Sequence, residues 1–356
     1  MTLLLSNEDM AHLLNAESCV AVLEDAYREL GQGMAVNRPK SYVVVPHEAE
    51  GDVDVSYSYC TMEGTARSLG VMAIRMKSDV NRFFEAYGTR RAEKWAGRPG
   101  LFCGLVMLFS TQTGELLAIL NDGLIQQLRV GATSGVAARY LAREDASVLG
   151  MIGSGTQARS HARAFMAVRP LKQIKVYSPN PEHRRAYAEE VARVLEVDVV
   201  PVESAQAAMQ GADIVSPCTS ALEPVAEAEW LGPGAHVGGA GGGIRGIFQY
   251  ADVVVKHHVL DTPHYFAGTN EEAQRAPKAP QSRGERAELE NAPTLAEVVL
   301  GQMPARTSPT QITYFANNEG NGLQFAACGA LAYRRARERG IGRELPTEWF
   351  LQDTRD

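Results

Sequence analysis

The segment with the clearest chemical meaning is a glycine-rich turn that follows a short apolar, β-branched run at residues 148–152. The turn has the pattern G-x-G-x-x-A, and its residues are Gly153, Ser154, Gly155, Thr156, Gln157 and Ala158. In a strand–turn–helix unit, the glycines permit a tight turn and close approach of the backbone to a pyrophosphate, and the small last residue lets the helix pack. The helix N-terminus then offers free N–H donors to the anion. These residues predict a nicotinamide or flavin dinucleotide site, the alternative being a purely structural glycine turn.

The end of the next predicted strand bears on the choice of cofactor. Many NAD sites place an acidic residue about 20 positions after the glycines, where it holds the ribose 2′-hydroxyl. Here Ser178 occupies that place, and Asn180 and Arg184 could bind a 2′-phosphate. Glu182 is expected in the first turn of a helix, where acidic residues are favoured for another reason. These residues favour NADP(H) over NAD(H).

Cys218 and Thr219 follow another apolar run, at the sheet edge where the cofactor's ribose and nicotinamide usually lie, so we expect both in the cofactor site. A nucleophilic thiol at Cys218 is not favoured, because no His or Cys partner is near it in the sequence. The histidines His257, His258 and His264 lack the one-face spacing of a zinc site, so no metal is predicted.

Three basic residues precede the glycine-rich turn in informative settings. Arg75 and Lys77 are two positions apart on a predicted strand and therefore share a face, where they could clamp a carboxylate. The alternative is the exposed face of an edge strand. Arg129 stands beside small residues that suggest close packing or approach of a ligand, and the alternative is a surface arginine that packs its stem.

The elements that must position these residues fall into two patterns. Residues 41–120 contain consecutive short β-like runs with a hairpin signal at residues 110–114, which predicts an antiparallel or mixed sheet. From residue 148 strands and helices alternate, which predicts a parallel sheet with right-handed crossovers. From Thr313 the pattern is helical. The fold class is therefore α/β, with a dinucleotide-binding unit at residues 129–311 and a split α+β unit made of residues 1–128 and 312–356.

The bulk properties narrow the class of protein. A chain of 356 residues is long enough for about two domains. Its net charge of -7 argues against nucleic acid as the main partner, and no apolar run is long enough to span a membrane. The apolar stretch at the N-terminus is too short for a signal peptide. The five widely spread cysteines suggest reduced thiols in a cytoplasmic protein.

Taken together, the motifs resemble those of the ornithine cyclodeaminase/μ-crystallin family, over about residues 30 to 345. The motifs that carry the resemblance are T-G-E-L-L-A at residues 113–118, L-R-V-G-A-T at 128–133, A-R-Y-L-A at 138–142, the glycine-rich turn, T-S and E-P within 219–224, and R-T and I-T within 306–313. The resemblance implies a Rossmann domain and a split substrate domain that also forms a homodimer. It implies that Arg129 binds the carboxylate of an amino or imino acid, and that the family's strand lysine falls at Arg75 or Lys77, the register between them staying open.

The chain departs from the cyclodeaminase pattern at one important place. Gly241 stands where the resemblance implies an aspartate on the fifth Rossmann strand. Cyclodeamination needs a carboxylate to accept a proton from the attacking ammonium. Reduction of a preformed imine needs a carboxylate clamp, a nicotinamide within reach and a proton, for which Lys77 is the candidate donor. We therefore expect an NAD(P)H-dependent reductase of imino acids, or in reverse an amino-acid dehydrogenase. The alternatives are a cyclodeaminase and a protein that binds NADPH and a small ligand without turnover.

Overall fold

The computed structural model describes residues 1–48, 50–257, 264–267, 288–317 and 321–354. The strands of this part of the chain are β1 (Thr2–Leu5), β2 (Ala35–Asn37), β3 (Ser41–Pro46), β4 (Asp54–Ala66), β5 (Val71–Ala86), β6 (Thr89–Ala96), β7 (Arg98–Pro99), β8 (Cys103–Ser110), β9 (Leu116–Asn121), β10 (Val148–Ile152), β11 (Gln173–Tyr177), β12 (Asp198–Pro201), β13 (Ile214–Pro217), β14 (Ala226–Glu227), β15 (His236–Gly238), β16 (Ile244–Arg245), β17 (Val253–Lys256), β18 (His264–Phe266), β19 (Thr313–Ala316) and β20 (Arg343–Leu345). The main helices are α1 (Asn7–Leu13), α2 (Ala16–Gly31), α3 (Asp122–Leu141), α4 (Thr156–Met166), α5 (Pro181–Leu195), α6 (Ala205–Met209), α7 (Ile247–Tyr250), α8 (Leu295–Val299) and α9 (Gly322–Arg339).

A parallel sheet of seven strands carries the glycine-rich turn. Its order is β12-β11-β10-β13-β15-β19-β17, and each pair of neighbours is parallel. The chain runs outward from β10 to β11 and β12 and then crosses to β13, so the strand order reverses beside β10. In open α/β sheets, ligands bind at the carboxyl ends of the strands at such a point. The predicted Rossmann architecture is confirmed.

The segment that begins at Thr313 differs from the prediction. We expected helix from Thr313, but residues 313–316 form β19, which lies between β15 and β17 in the parallel sheet. The helix begins only at Gly322. A short apolar run is ambiguous because periodicity alone does not separate a buried strand from a helix. The parallel sheet thus includes a strand beyond the expected boundary at residue 311.

The second sheet is the predicted β-rich unit. Its main path is β18-β3-β4-β5-β8-β9-β1-β20, and its central pairs from β3 to β9 are antiparallel. Alternate residues of β4 and β5 are buried on one face and partly exposed on the other. α9 packs on the buried face, and Gly64 and Gly322 permit the contact, since a Cβ on Gly64 would lie 2.2 Å from the Leu323 nitrogen.

The hairpin formed by β5 and β6 was not predicted from the sequence. β5 continues for 16 residues and turns into β6. The turn residues Tyr87 and Gly88 have φ angles of 55° and 72°, as a two-residue hairpin turn requires. In the described ranges, no helix is both long enough and apolar enough to cross a membrane.

Candidate active site

A cleft of about 690 Å³ lies at the carboxyl ends of β10, β11 and β13. Most of the residues predicted to bind the cofactor line its wall, namely Gly153, Ser154, Gly155, Thr156, Gln157, Ser178, Asn180, Cys218 and Thr219. Two of the predicted residues, Ala158 and Arg184, are buried and do not belong to the wall. The cleft therefore brings together the three strand ends that the sequence analysis singled out.

The two glycines of the turn have different tasks. Gly153 has a φ of 119°, and a Cβ there would lie 2.0 Å from the Cys218 carbonyl oxygen. Gly155 precedes α4 in an extended conformation, and no heavy atom lies within 4 Å of a Cβ built on it. Gly153 thus lets two strand ends approach each other, while Gly155 keeps open the space in front of the helix N-terminus.

The groups around this space fit the diphosphate and ribose of a dinucleotide. The first N–H groups of α4 have no acceptor within the helix, so they are available to an anion. Gln157 Oε1 is buried without a hydrogen-bond partner among the described residues, so it could accept from a ribose hydroxyl. Ala158 is fully buried and lets α4 pack closely, as the small residue of the motif should.

Arg159, which was not predicted from the sequence, donates hydrogen bonds to backbone carbonyls of the turn. Its Nη1 donates to the Ser154 carbonyl at 2.6 Å and to the Gly155 carbonyl at 3.2 Å. Its Nη2 lies 2.7 Å from Glu190 Oε2, and this contact lowers the pKa of the Glu190 carboxyl. Arg159 directly follows the turn in the sequence. Its distance of four and five residues from Gly155 and Ser154 was the signal that could have identified these contacts.

The end of β11 shows why Arg184 is not in the wall. Its Nη1 donates to the Ser178 carbonyl at 3.1 Å, and its Nη2 pairs with Glu203. Arg184 therefore positions Ser178 rather than facing the cleft, which corrects its expected contact with a 2′-phosphate. Asn180 caps α5 by accepting from the Glu182 N–H at 2.9 Å. His183, which the sequence analysis did not single out, also lines the cleft.

The far end of the wall carries no activated thiol. Burial raises the pKa of the Cys218 thiol to about 11, so it is protonated at neutral pH. Thr219 Oγ1 accepts from the Ala221 N–H at 2.8 Å. No Asp or Glu is among the described residues that form the wall.

Gly241 occupies the position at which the resemblance implies an aspartate. Its φ is 84°, and a Cβ there would lie 2.3 Å from the Thr219 carbonyl oxygen. The neighbouring Ala240 pairs with Cys218 and lines the cleft. Neither Ala240 nor Gly241 supplies a carboxylate.

Arg75 and Lys77 are both buried on the inner face of β5, as their spacing predicted, and not on an exposed edge. Arg75 Nε and Nη2 lie 2.8 Å and 2.5 Å from Asp122 Oδ2. Lys77 Nζ lies 2.5 Å from Asp79 Oδ2. Neither carboxylate was predicted from the sequence, although Asp79 shares the two-residue period of the cations.

Arg129 is buried on α3 and has only neutral partners. Its Nη1 donates to Gln324 Oε1 at 2.8 Å and its Nη2 to Gln126 Oε1 at 2.7 Å. Burial, aided by repulsion from Arg75, lowers the pKa of its guanidinium to about 10, so it stays charged at neutral pH. In the described part of the chain, no carboxylate lies within ion-pair distance of Arg129.

Phe325 brings the two arginines into one cluster. The guanidinium carbons of Arg75 and Arg129 lie 5.4 Å and 5.1 Å from the centre of its ring. Arg75, Lys77 and Arg129 face two carboxylates, those of Asp79 and Asp122, and Lys94 of β6 adds a further positive charge near Lys77, so cations outnumber carboxylates in the cluster. Such an excess attracts an anion.

Two packed helices link this cluster to the cleft. α3 carries Arg129 and contacts α4, which begins at the glycine-rich turn. The helices approach so closely that a Cβ on Gly131 would lie 2.4 Å from Ser160 Oγ. Ser160 Oγ also donates to the Gln127 carbonyl at 2.6 Å. The cations themselves are not part of the wall of the cleft.

Of the three histidines considered for a metal, only His257 has a described side chain. It is buried, and its Nε2 lies 2.5 Å from the Tyr27 hydroxyl and 2.9 Å from Asn321 Nδ2. His258 lies outside the described residues. Among the described residues, no three or more His, Cys, Asp or Glu side chains are grouped so that they could hold a metal ion.

The family model for the ornithine cyclodeaminase/mu-crystallin family matches residues 1–337. The chain therefore belongs to this family. A Delta(1)-pyrroline-2-carboxylate reductase of Bacillus cereus is 30% identical over 245 residues, which cover 68% of this chain and 74% of the relative. An alanine dehydrogenase of Archaeoglobus fulgidus is 27% identical, and the match covers 97% and 98% of the two chains. The structure of Thermococcus litoralis Delta(1)-pyrroline-2-carboxylate reductase in complex with NADH and L-proline has a TM-score of 0.75 and 26% identity, covering 97% of this chain and 100% of that one.

Proposed function

We propose that this protein is an NAD(P)H-dependent reductase of imino acids, which in reverse is an amino-acid dehydrogenase. The observation that carries the proposal is the buried guanidinium of Arg129, which has neutral hydrogen-bond partners and no carboxylate within ion-pair distance in the described chain. A buried charge without a counter-ion is costly, so a substrate carboxylate would relieve that cost. The names of the relatives, two of which are a pyrroline-carboxylate reductase and an alanine dehydrogenase, support the same chemistry.

The residues of the cluster take different tasks in this proposal. Arg129 binds the carboxylate through its planar fork, and Arg75, held by Asp122, adds positive charge beside it. Lys77 holds a proton near the substrate nitrogen while Asp79 fixes its ammonium group. The nicotinamide ring, when bound, supplies the hydride. The burial of the cluster excludes water, which strengthens each of these interactions.

The preference for NADP(H) over NAD(H) rests on the wall of the cleft. Ser178 stands at the strand end where an acidic residue often holds the ribose, and the described wall carries no Asp or Glu. Glu203, the nearby carboxylate, is engaged by Arg184. A 2′-phosphate would therefore meet no negative side chain there.

A cyclodeaminase is disfavoured by the same wall. Its proton-accepting carboxylate has no counterpart at Ala240 or Gly241. Reduction of an imine that is already formed needs no such base. A binding protein without turnover stays an alternative outcome of the test below.

A homodimer is part of the proposal. The outer face of the antiparallel sheet exposes Val43 and Leu105, which are 42% and 36% exposed although they lie on central strands. Apolar side chains on a sheet face are stabilised by a second apolar surface. We also propose a cytoplasmic location, because all five cysteines are free and four of them are buried.

The test is a substrate panel for the purified full-length protein. Oxidation of NADPH and NADH is followed with 2-oxo acids mixed with ammonia or methylamine, and with cyclic imines such as pyrroline- and piperideine-carboxylate. We expect oxidation with at least one carboxylated imine. Ammonia release from ornithine or lysine without net cofactor oxidation would instead identify a cyclodeaminase. Tight NADPH binding without any turnover would identify a binding protein.

A further inference from the structure

The β5–β6 hairpin has no task in the function proposed so far, although its tip reaches the dinucleotide cleft. Tyr87, Gly88, Thr89 and Arg91 form part of the wall. β5 has 16 residues, so at about 3.3 Å per residue it is about 50 Å long. β5 thus carries Arg75 near its N-terminal end, and its C-terminal end leads into the hairpin tip that lines the cleft.

The hairpin is docked on the loop that follows β13. The Leu222 N–H donates to the Arg90 carbonyl at 3.0 Å, and Arg91 forms a β-bridge with Ala221. Arg91 Nη1 donates to Ser220 Oγ at 3.1 Å. Since this loop begins at the cofactor-site residues Cys218 and Thr219, the docking fixes the hairpin tip at the cleft.

The two arginines at the tip differ in their charge environment. Arg90 pairs with Asp54. Arg91 donates only to neutral oxygens, those of Ser220 and the Ala86 carbonyl, and no carboxylate lies within ion-pair distance of it in the described ranges. A guanidinium has five N–H donors, so some of those of Arg91 are left for a ligand.

Thr89, at the same tip, has a buried hydroxyl without a hydrogen-bond partner among the described residues. It belongs to the same wall as Gln157, whose buried Oε1 is likewise without a partner. Unpaired buried polar atoms are uncommon in folded proteins. Two of them on one cleft point to a ligand that supplies their hydrogen bonds.

We propose that Arg91 is a dinucleotide-binding residue that contacts a phosphate group of the cofactor from the side opposite the glycine-rich turn. The inference rests on the proposed function, which makes a nicotinamide dinucleotide the occupant of the cleft. The planar fork of a guanidinium matches phosphate oxygens, and the wall carries no acidic side chain to compete. This phosphate belongs either to the pyrophosphate, which NAD(H) and NADP(H) both contain, or to the 2′-phosphate, which only NADP(H) contains.

The experiment is a direct titration of the full-length protein with NADPH and with NADH, followed by nicotinamide fluorescence without any imine. We expect Arg91→Ala to weaken binding by about ten-fold or more, since it removes a charge-assisted contact. Arg91→Gln keeps the stem and a donor for Ser220 but not the charge, so it should weaken binding to a similar degree. Arg91→Lys should restore part of the loss. Arg90→Ala is the matched control and should bind both cofactors like the unmodified protein.

The pattern across cofactors locates the contact. Equal losses for NADPH and NADH assign Arg91 to the pyrophosphate, and a loss confined to NADPH assigns it to the 2′-phosphate. If Arg91→Ala and Arg91→Gln both bind NADPH and NADH as tightly as the unmodified protein does, the inference is overturned while the proposed function stands. If the unmodified protein binds neither cofactor, the proposed function fails first and the inference fails with it.

Discussion

Replacing Arg129 by alanine tests the cation that should hold the substrate. The guanidinium is buried and donates to Gln126 and Gln324, so the variant leaves two neutral amides and no orphaned carboxylate. A charge-assisted hydrogen bond contributes about 1.5–3 kcal/mol, which corresponds to about a ten-fold to 150-fold change in an equilibrium or rate ratio. We therefore expect kcat/KM for a carboxylated imine to decrease by at least about ten-fold, mainly because KM rises. The affinity for NADPH should be unchanged.

The assay is steady-state cofactor oxidation with pyrroline-2-carboxylate and with the same cyclic imine lacking the carboxylate. The loss should be confined to the carboxylated substrate. Arg169→Ala is a matched control, because Arg169 is also buried and donates to backbone carbonyls, but follows α4 at the end away from the glycine-rich turn. That variant should melt at a lower temperature with unchanged KM. Equal losses of Arg129→Ala on both imines, or no loss on either, would refute the carboxylate contact.

Three further changes probe the cofactor cleft and the core. Ser178→Asp should shift preference toward NADH, because a carboxylate there repels a 2′-phosphate, and unchanged NADPH-to-NADH ratios of kcat/KM would mean that the ribose is read elsewhere. Gly153→Ala should lower the melting temperature, because its Cβ would lie 2.0 Å from the Cys218 carbonyl oxygen. Gly155→Ala should instead fold normally, since no heavy atom lies within 4 Å of the added Cβ, but it should weaken NADPH binding. Wild-type NADPH affinity in Gly155→Ala would contradict this. Burial lowers the pKa of His161 from 6.5 to about 4, so the unfolded chain takes up the proton first as the pH falls. The neutral His161 side chain therefore contributes roughly 3 kcal/mol to the free energy of unfolding. This contribution is fully present above about pH 6.5 and is lost as the pH falls toward 4. His161→Gln should therefore flatten the dependence of unfolding free energy on pH in this window, measured by urea denaturation; an unchanged slope would show that His161 is not the responsible group.

The parts of the site that lie close together in sequence could be predicted. The glycine-rich turn depends on local backbone geometry, and the shared face of Arg75 and Lys77 depends on the two-residue period of a strand. Both predictions needed only neighbouring residues. The partners of the cations could not be found in this way, since Asp122 lies 47 residues from Arg75 and is brought there by the sheet.

The misassigned positions have similar physical causes. Arg184 looked available because Glu203, 19 residues later, is placed against it only by the packing of α5 beside the next loop. The hairpin was missed because Tyr87–Gly88 is not a typical Asn-Gly turn and because β6 is rich in charged residues. The strand Thr313–Ala316 was read as helix because four residues carry too little periodicity.

The most direct measurement of the central claim follows one hydrogen atom. The protein is given a carboxylated cyclic imine and nicotinamide cofactor deuterated at its transferable position, and the product is examined by NMR. We predict deuterium on the carbon that bears the carboxylate, together with one oxidised cofactor per product molecule. Product without deuterium at that carbon, or no product from any carboxylated imine, would contradict the account.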